Sequence, residues 1–524
     1  AYSVDCNQVP FSCGTPAYMS PQQQNEGSAT ESDDVYALGS VVVRLVCGVD
    51  PRKVKHIEPE RRAQSIAMLA VTQGGRLAGT LSRCLDDDPT ARPPLGELAR
   101  ALNESKSGTP KNNSRLQQDW MPSRQTLRAA YNGLMSASAK TTDGALFISA
   151  REKSAGSGDY EYELLRSAHN GNAGVLYLIS RYSSCGLTDP PVDRNVANSI
   201  VDWLLAHRST SDDQMPGLHF GEAGVATALS EAIAARLIDP GPWTRTYLQE
   251  VFSGTLDWPD FTHGAAGQGI AALTCARLLG DPFPYDYARS CTEYLIGVQD
   301  RSGAWPLPDD VKELAGVRYT GFAHGAAGIV YYLLEYLRET SDPAPERSID
   351  AALQWLISLR VDTKPGSWPI QPDSSEAWSW WCHGGPGIAL AFLKAYEVFG
   401  DKAFAEIAEQ ALLAIPSDIR SGNLSHCHGL SGIGEAYLEA YRVLGDEAWL
   451  ALATHVARTI LALSRETAEG WLVWKAENPH SPTADLMLGS GGICHFLLRL
   501  VEADYREISL PLHVPRNVTP VSMQ

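Results

Sequence analysis

Two short Cys-His-Gly triplets are the feature of this sequence most able to do chemistry. They are Cys382-His383-Gly384 and Cys427-His428-Gly429, and the two cysteines lie 45 residues apart. Thiolate and imidazole are favoured zinc ligands, and two cysteines with one histidine leave a fourth coordination position for water or substrate. A free thiol titrates near about 8.5, whereas coordination to zinc deprotonates it. The two triplets therefore predict a catalytic zinc site that activates a thiol.

Two other interpretations of the triplets stay open on the sequence alone. A single Cys-His pair in a helical protein is usually a buried cysteine beside a packed histidine, although two equivalent pairs weaken that interpretation. The second alternative is a closed structural zinc site, with His383 or His426 as the fourth ligand. Histidines of the neighbouring loops are expected to be structural when each is taken alone; they are His169, His219, His263, His383 and His426.

A repeat in the sequence would position these triplets. Gly-x-x-Gly followed at once by an apolar helical run occurs seven times, at spacings of 43 to 61 residues, with amphipathic stretches such as residues 403–414 in between. One apolar and one amphipathic helix per unit indicate a helical repeat array, and closing the array removes its exposed ends. The sequence therefore predicts an all-α fold, an α/α toroid of seven inner and seven outer helices. The copies begin at Gly171, Gly221, Gly264, Gly325, Gly384, Gly429 and Gly489.

The residues just before each Gly-x-x-Gly are expected to converge at one end of the ring. Asp260 and His263 precede the third copy, His324 precedes the fourth, and the two Cys-His pairs precede the fifth and sixth. Equivalent ends of the inner helices face the same side of a closed toroid. We therefore expect a central cavity in which these thiols, imidazoles and the carboxylate meet.

The repeats, together with Trp381-Cys382-His383-Gly384 and Cys427-His428-Gly429, resemble the lanthionine synthetase C-like cyclase family over about residues 165–505. The resemblance implies a zinc ion (Zn²⁺) held by Cys382, Cys427 and His428. The family's Asp-x-x-x-Gly and Ala-His-Gly motifs match residues 260–264 and 323–325, which nominates Asp260 and His324 as acid/base residues. A small residue often precedes the glycine of the first motif in the family, and this chain departs from that pattern at residue 263.

This resemblance implies a reaction and a partner. A cysteine thiol of a ribosomally made precursor peptide would add to a dehydroalanine or dehydrobutyrine, closing a lanthionine or methyllanthionine ring. His324 would protonate the enolate at Cα, and Asp260 would orient or deprotonate. Two rivals stay open: another toroid zinc enzyme that alkylates thiols, similar to protein prenyltransferases, and a peptide-binding scaffold with structural zinc.

The first block of the chain resembles the C-terminal lobe of a serine/threonine protein kinase. The resemblance rests on Gly14–Pro21, Ser32–Gly39 with Asp34 at its acidic position, and Asp88–Pro93. The glutamate usual after Ser-Pro is Gln22 here, so its ion pair with the arginine of the last motif is expected to become a neutral hydrogen bond. No Gly-rich phosphate loop, catalytic loop or Asp-Phe-Gly precedes these motifs, so we expect no kinase activity from this chain. A kinase ahead of a cyclase that keeps three zinc ligands resembles class IV lanthipeptide synthetases.

Composition and charge narrow the class of protein further. A formal net charge of -18 argues against a nucleic-acid partner, and no apolar run reaches the roughly 18 residues of a membrane span. Ten cysteines in 524 residues do not form a disulfide framework, so a reducing, cytoplasmic compartment is predicted. The predicted boundaries are residues 1–102 for the kinase-like part, 103–160 for a linker, 161–510 for the toroid and 511–524 for a C-terminal tail.

Overall fold

A computed structural model describes most of the chain. The described residues are 15, 18–25, 30–49, 51–55, 57–69, 75–106, 121–153, 159–188, 190–208, 216–309, 314–361, 364–415, 423–478, 480–502, 509–516 and 520. Two compact units are present: residues 1–121, 416–423 and 455–467 form the first, and residues 122–415, 424–454 and 468–524 form the second. Gly14, Pro16 and Ala17 of the kinase-like motif, and residues 107–120 of the predicted linker, lie outside the described residues.

The first unit is helical in its described part. Its longest helix begins where the Thr30 backbone N–H and hydroxyl donate to the Asp33 carboxylate, and ends at Gly48 in the left-handed conformation. Such caps satisfy backbone groups that have no partner inside the helix. The helices are α1 (Pro21–Gln24), α2 (Glu31–Cys47), α3 (Arg52–Lys55), α4 (Pro59–Leu69), α5 (Gly75–Cys84) and α6 (Leu95–Lys106).

Arg92, which belongs to the last kinase-like motif, contacts residues in or next to the two earlier motifs. Its Nη2 donates to Gln22 Oε1 at 2.6 Å, which is the neutral hydrogen bond that the sequence predicts. The buried acidic group near it is Asp33, which accepts from Ser20 Oγ at 2.6 Å and lies 3.5 Å from Arg92 Nη1. Asp34, which the resemblance places at the acidic position, is exposed. Adjacent helical residues point about 100° apart, so the two carboxylates cannot share one environment.

The second unit confirms the predicted toroid. The first glycine of each Gly-x-x-Gly is the N-cap of an inner helix, each inner helix contacts the next, and the last contacts the first. From residue 122 onward the helices are α7 (Arg124–Met135), the inner α8 (Asn172–Ser184), α9 (Pro190–Ala206), the inner α10 (Glu222–Ala234), α11 (Pro242–Val251), the inner α12 (Ala265–Leu279), α13 (Phe283–Val298), the inner α14 (Ala326–Thr340), α15 (Glu346–Ser358), the inner α16 (Gly385–Phe399), α17 (Lys402–Leu413), the inner α18 (Leu430–Leu444), α19 (Glu447–Ala462) and the inner α20 (Ser490–Val501).

The helix that packs outside the last inner helix comes from ahead of the repeats. α7 contacts α20 and buries Leu127, Tyr131 and Leu134. Short strands accompany it: β1 (Ser138–Thr141) pairs antiparallel with β2 (Gly144–Phe147), and β3 (Ser149–Glu152) with β4 (Tyr160–Glu163). The strands β5 (Arg465–Glu466) and β6 (Leu472–Val473) follow later. The described part of the predicted linker thus holds a helix and short strands, and the apolar residues of the helix recur at helical spacing.

Close contact with the preceding loop explains the second glycine of each repeat motif. A Cβ built on Gly328 would lie 2.0 Å from the Phe322 carbonyl oxygen, and one on Gly387 would lie 2.1 Å from that of Trp381. All seven second glycines meet the carbonyl of the residue six positions earlier in this way, at 2.0–2.7 Å. Any side chain would push the loop off the helix, so these glycines fix the loops that carry the candidate site.

The C-terminal segment packs against inner residues of the toroid. Residues 509–514 are buried, and the His513 ring lies 5.3 Å from Phe261 and 5.0 Å from Tyr331, centroid to centroid. Arg516 forms ion pairs with Glu397 at 3.3 Å and Glu439 at 2.9 Å. The sequence predicts a tail from residue 511, but the described part of that segment belongs to the core.

Acid is expected to destabilise this core through His513. Burial lowers the pKa of His513 to about 4, below the value near 6.5 of an unfolded chain. Between these values the unfolded chain binds a proton that the folded chain does not, so the free energy of unfolding falls as the pH drops through this window. This histidine is expected to remove about 2 kcal/mol between pH 7 and pH 5. In urea unfolding at pH 7 and pH 5, the free energy of unfolding of His513→Gln should fall less between the two pH values than that of the wild type. An equal fall in both proteins would refute this prediction.

The described residues also bear on the disulfide framework and the membrane span that the composition argues against. Eight cysteines lie in this part of the chain, and all are free thiols. None of the helices found there combines the length and apolar character that crossing a bilayer would need. Neither a disulfide framework nor a membrane span is therefore seen in the described residues.

Candidate active site and metal centre

The loops before the seven inner helices are joined by a closed ring of backbone hydrogen bonds. In each loop, the residue two positions before the first glycine donates its N–H to the matching carbonyl of the next loop, at 2.9–3.4 Å, and the seventh loop donates to the first. These seven residues are therefore structurally equivalent, and the two predicted cysteine ligands are neighbours in the ring. In order, they are His169, His219, Thr262, Ala323, Cys382, Cys427 and Met487.

The three predicted metal ligands converge at one place on this ring. The ligand atoms of Cys382, Cys427 and His428 all lie within 4.8 Å of one another, and Cys427 Sγ is 3.6 Å from His428 Nε2. Both thiols are buried, whereas the His428 side chain is 41% exposed. The group is thus anchored by the ring on one side and open to a substrate on the other.

Hydrogen bonds within this group stabilise a thiolate. The bond from Cys427 lowers the pKa of the Cys382 thiol well below its ordinary value, and the same bond raises the pKa of Cys427. Burial acts to lower the pKa of His428, but hydrogen bonds to Cys382 and Glu477 raise it to about 10. Zinc binds cysteine as the deprotonated sulfur, so surroundings that favour thiolate suit this metal.

Glu477 is a partner of the site that the sequence analysis missed. Its Oε2 lies 3.3 Å from His428 Nδ1 and accepts a hydrogen bond from Ser425 Oγ at 3.1 Å. Metal-binding histidines usually donate their second ring N–H to a carboxylate, which fixes the tautomer and turns the other nitrogen to the metal. Here that other nitrogen is Nε2, which faces the thiols. The donor set and its outer carboxylate therefore fit zinc.

Removing this carboxylate is expected to weaken zinc binding without unfolding the protein. In Glu477→Gln the His428 Nδ1–H loses its charged acceptor, and we expect zinc affinity to fall by about 10–100-fold. Competition with a chromophoric chelator measures this affinity. The exposed Glu376, replaced by Gln, is the matched control that should bind zinc as the wild type does. Wild-type affinity in Glu477→Gln would show that the contact does not orient the ligand.

No fourth side chain joins the three ligands among the described residues. His383 instead packs against Tyr319 and Trp378, with ring centroids at 5.3 Å and 5.7 Å. The buried His426 packs edge-on against Trp381 at 5.3 Å. Neither histidine is therefore placed to be the fourth ligand that a closed structural zinc site would need. The arrangement corresponds to a three-ligand site with an open position.

A second group of titratable side chains lies on the same ring. Asp260 Oδ2 is 2.9 Å from His324 Nδ1 and 3.3 Å from His263 Nδ1, and Thr262 Oγ1 lies 2.9 Å from both of these nitrogens. Asp260 Oδ1 accepts from the backbone N–H groups of His263 and Gly264, at 2.6 Å and 2.9 Å. These bonds hold the carboxylate rigidly and account for the close spacing of the group. Thr262 was not singled out from the sequence.

Hydrogen bonds in this group keep the Asp260 carboxyl ionised. Burial raises the pKa of this carboxyl, but hydrogen bonds from His263 and His324 outweigh it and hold the pKa well below its ordinary value. The ionised carboxylate accepts from His324 Nδ1, which leaves Nε2 as the nitrogen available to a substrate. The His324 side chain is 30% exposed, so a substrate can reach it.

Stacked rings connect the two groups. The His263 and His324 rings are 5.3 Å apart and nearly parallel, and the His324 ring is 5.6 Å from His383, the residue after Cys382. The structure thus brings all five predicted site residues to the loop side of one ring, as two adjacent groups.

Comparisons with known proteins define the family. Residues 164–512, more than half of the chain, match the family "Lanthionine synthetase C-like protein". The chain belongs to this family. Among solved structures, nisin cyclase is similar in fold, with a TM-score of 0.51 and 17% identity over 66% of this chain and 90% of that one.

Two curated relatives match shorter parts. "Glutathione S-transferase LANCL1" of Danio rerio is 29% identical over 93 residues, which is 18% of this chain and 22% of that protein. "LysM domain receptor-like kinase 3" of Arabidopsis thaliana is 25% identical over 122 residues, which is 17% of this chain and 19% of that protein. The chain thus spans about a fifth of the length of each of these relatives.

Proposed function

We propose that this chain is a zinc-dependent lanthionine and methyllanthionine cyclase acting on a dehydrated, ribosomally made precursor peptide. One observation carries the proposal: the thiol–imidazole group of Cys382, Cys427 and His428 lies beside the Asp260–His324 pair on one ring of loops. A Michael addition of a thiol needs both a means of forming thiolate and a proton donor. Membership of the lanthionine synthetase C-like family and the fold of nisin cyclase support a cyclase.

The metal ligands in this proposal are Cys382, Cys427 and His428. A bound zinc ion supplies the charge that lowers the pKa of a substrate thiol and keeps it as thiolate at neutral pH. Cys382 and Cys427 are held by the backbone ring, and His428 is held by Glu477. The protein therefore contributes a preformed set of ligands, with the exposed side toward the peptide.

His324 is the proposed proton donor. As the sulfur bonds to the β-carbon, the electron pair of the double bond moves toward Cα and the carbonyl, and Cα takes up one proton. The thiol has lost one proton, so the addition is balanced. Asp260 keeps His324 Nδ1 hydrogen-bonded, so that Nε2 is the ring nitrogen available to the substrate.

Other functions make different predictions for the same site. A scaffold with structural zinc would bind peptide but form no thioether, and a prenyltransferase-like enzyme would alkylate a thiol with an allylic diphosphate. The similarity to a protein named as a glutathione S-transferase adds a third alternative, in which glutathione is the thiol substrate. The open metal position favours thiol chemistry over a purely structural role.

We also propose that the first unit is a partial kinase C-terminal lobe, as in a class IV lanthipeptide synthetase. The Arg92–Gln22 contact supports this assignment. A cytoplasmic, reducing location would suit the thiol chemistry of the chain.

The proposal is tested with a synthetic peptide that carries one dehydroalanine and one cysteine. Ring closure leaves the mass unchanged, so samples are treated with N-ethylmaleimide, which labels only open peptide. We expect zinc-reconstituted protein to convert the peptide to an unlabelled product of single stereochemistry, faster than the enzyme-free reaction. Glutathione or an allylic diphosphate added to the assay identifies the rival activities. A rate equal to the enzyme-free control would overturn the proposal.

A further inference from the structure

A groove runs along the loop side of the second unit, between the β3–β4 hairpin and the loops of repeats one, two and seven. Its larger part is a cavity of about 900 Å³, and a smaller cavity of about 200 Å³ adjoins it. Arg151 of the hairpin and Asn170 of the first repeat line both cavities, so the two parts are neighbours along one track. Small-molecule pockets measure about 300–1,000 Å³, so together the two parts offer more room than a single amino-acid residue needs.

One lining residue of each cavity contacts one of the two groups of the candidate site. Phe220 lines the larger cavity, and its ring stacks on His263 at 4.9 Å with the planes 14° apart. Glu477 lines the smaller cavity and contacts the His428 ring nitrogen at 3.3 Å. A ligand lying in the groove would therefore contact Phe220, which adjoins the acid/base group, and Glu477, which adjoins the metal group.

An available donor lies where the two cavities meet. Asn170 Oδ1 accepts from Ser167 Oγ at 2.9 Å, whereas its Nδ2 has no partner among the described residues. Asn170 precedes the first glycine of its repeat, the position that His263, His324 and His428 occupy in theirs. This amide is therefore placed on the same side of the ring as the reacting groups and can donate to a carbonyl.

Both arginines of the groove are paired within the protein, and carboxylates outnumber them in the lining: Glu152, Glu163, Glu222, Glu477 and Asp485. Arg166 forms an ion pair with Glu222 at 2.6 Å, and Arg151 forms one with Glu163 at 3.0 Å. A groove with more carboxylates than arginines disfavours a phosphate or a carboxylate, and the amide donor at its middle matches a main-chain carbonyl of a peptide.

We propose that this groove binds an extended stretch of the peptide substrate that carries no acidic side chains, next to the reacting residues, with Asn170 donating to a peptide carbonyl. This inference rests on the proposed cyclase function and adds to it a site for substrate residues that do not react. Binding of remote residues would help position the thiol and the dehydro residue, so peptides without flanks should react more slowly.

The test uses the full, zinc-loaded chain and synthetic peptides that share one dehydroalanine–cysteine core. The core is flanked on both sides by short, medium or long stretches of alanine and serine. We expect kcat/KM of the wild type to rise by about tenfold or more with flank length. Leu164, which lines the larger cavity, is replaced in Leu164→Trp to fill the groove, and Asn170→Asp replaces the donor. Both variants should abolish most of this rise, so that peptides with long flanks react little faster than the core peptide.

The matched control adds the same indole at a different cavity of about 830 Å³, with Arg245→Trp, and should keep the full dependence on flank length. Zinc content and circular dichroism of every variant identify any that fail to fold, and Asn170→Asp adds no bulk. A wild-type rate that ignores flank length, or an unchanged rise in both groove variants, overturns the groove proposal while leaving the cyclase proposal standing. No zinc-dependent reaction with any peptide overturns both.

Discussion

A Cys382→Ala variant is expected to lose its zinc and its enzymic ring closure together. Cys382 supplies one of three ligand atoms, and the remaining Cys427 and His428 leave two coordination positions without protein donors. We expect the loss of zinc affinity to exceed the roughly 10–100-fold that follows removal of an outer partner. Ring closure should fall to the enzyme-free rate. Elemental analysis and initial rates on the same samples measure both quantities.

The matched control for this variant is Cys291→Ala. Cys291 is also a buried free thiol, but it lies on α13, away from the loops of the ring. Its replacement should cost stability through lost packing and leave one zinc per chain. If Cys382→Ala keeps full zinc at wild-type affinity, the ligand assignment fails, whatever happens to the rate.

The second large effect is expected in His324→Asn. The side chain keeps a group that can donate to Asp260 but loses the ring nitrogen that faces the substrate. We expect zinc content and folding to stay near normal and the rate of ring closure to fall by about 10² or more, as is usual for loss of a general acid. Stopped reactions with a pre-dehydrated peptide give initial rates, and chiral analysis of the hydrolysed product gives the stereochemistry at Cα.

The stereochemistry separates a proton donor from a merely structural residue. If His324 delivers the proton, the residual reaction of His324→Asn should lose its preference for one Cα configuration, because solvent then protonates the enolate. His428→Ala, by contrast, should lose zinc as well as rate. A wild-type rate with wild-type stereochemistry in His324→Asn would show that His324 is structural, and His263, which shares Asp260, would become the candidate acid.

Much of the site could be predicted because the repeat fixes the positions of its residues. The seven glycine pairs mark the seven helix starts, and the residue two places before each first glycine enters the backbone ring. The spacing of Cys382 and Cys427 therefore implied neighbouring positions before any coordinates. The same reasoning placed Asp260 and His324 on the loop side.

Residues outside the repeat register could not be predicted. Glu477 lies 49 residues from His428 in a loop with no motif of its own, and only the folded chain shows their contact. The burial of residues 511–514 was missed for a related reason, since a short apolar run shows no period to analyse.

The central claim is that ring closure depends on a metal ion held by Cys382, Cys427 and His428. The most direct measurement removes the metal with a chelator, returns zinc in steps, and follows zinc content and the initial rate of ring closure on each sample. We predict that the rate returns in proportion to bound zinc and stops rising at one zinc per chain, with product of single stereochemistry throughout. Metal-free protein that closes rings at the full rate would contradict the account.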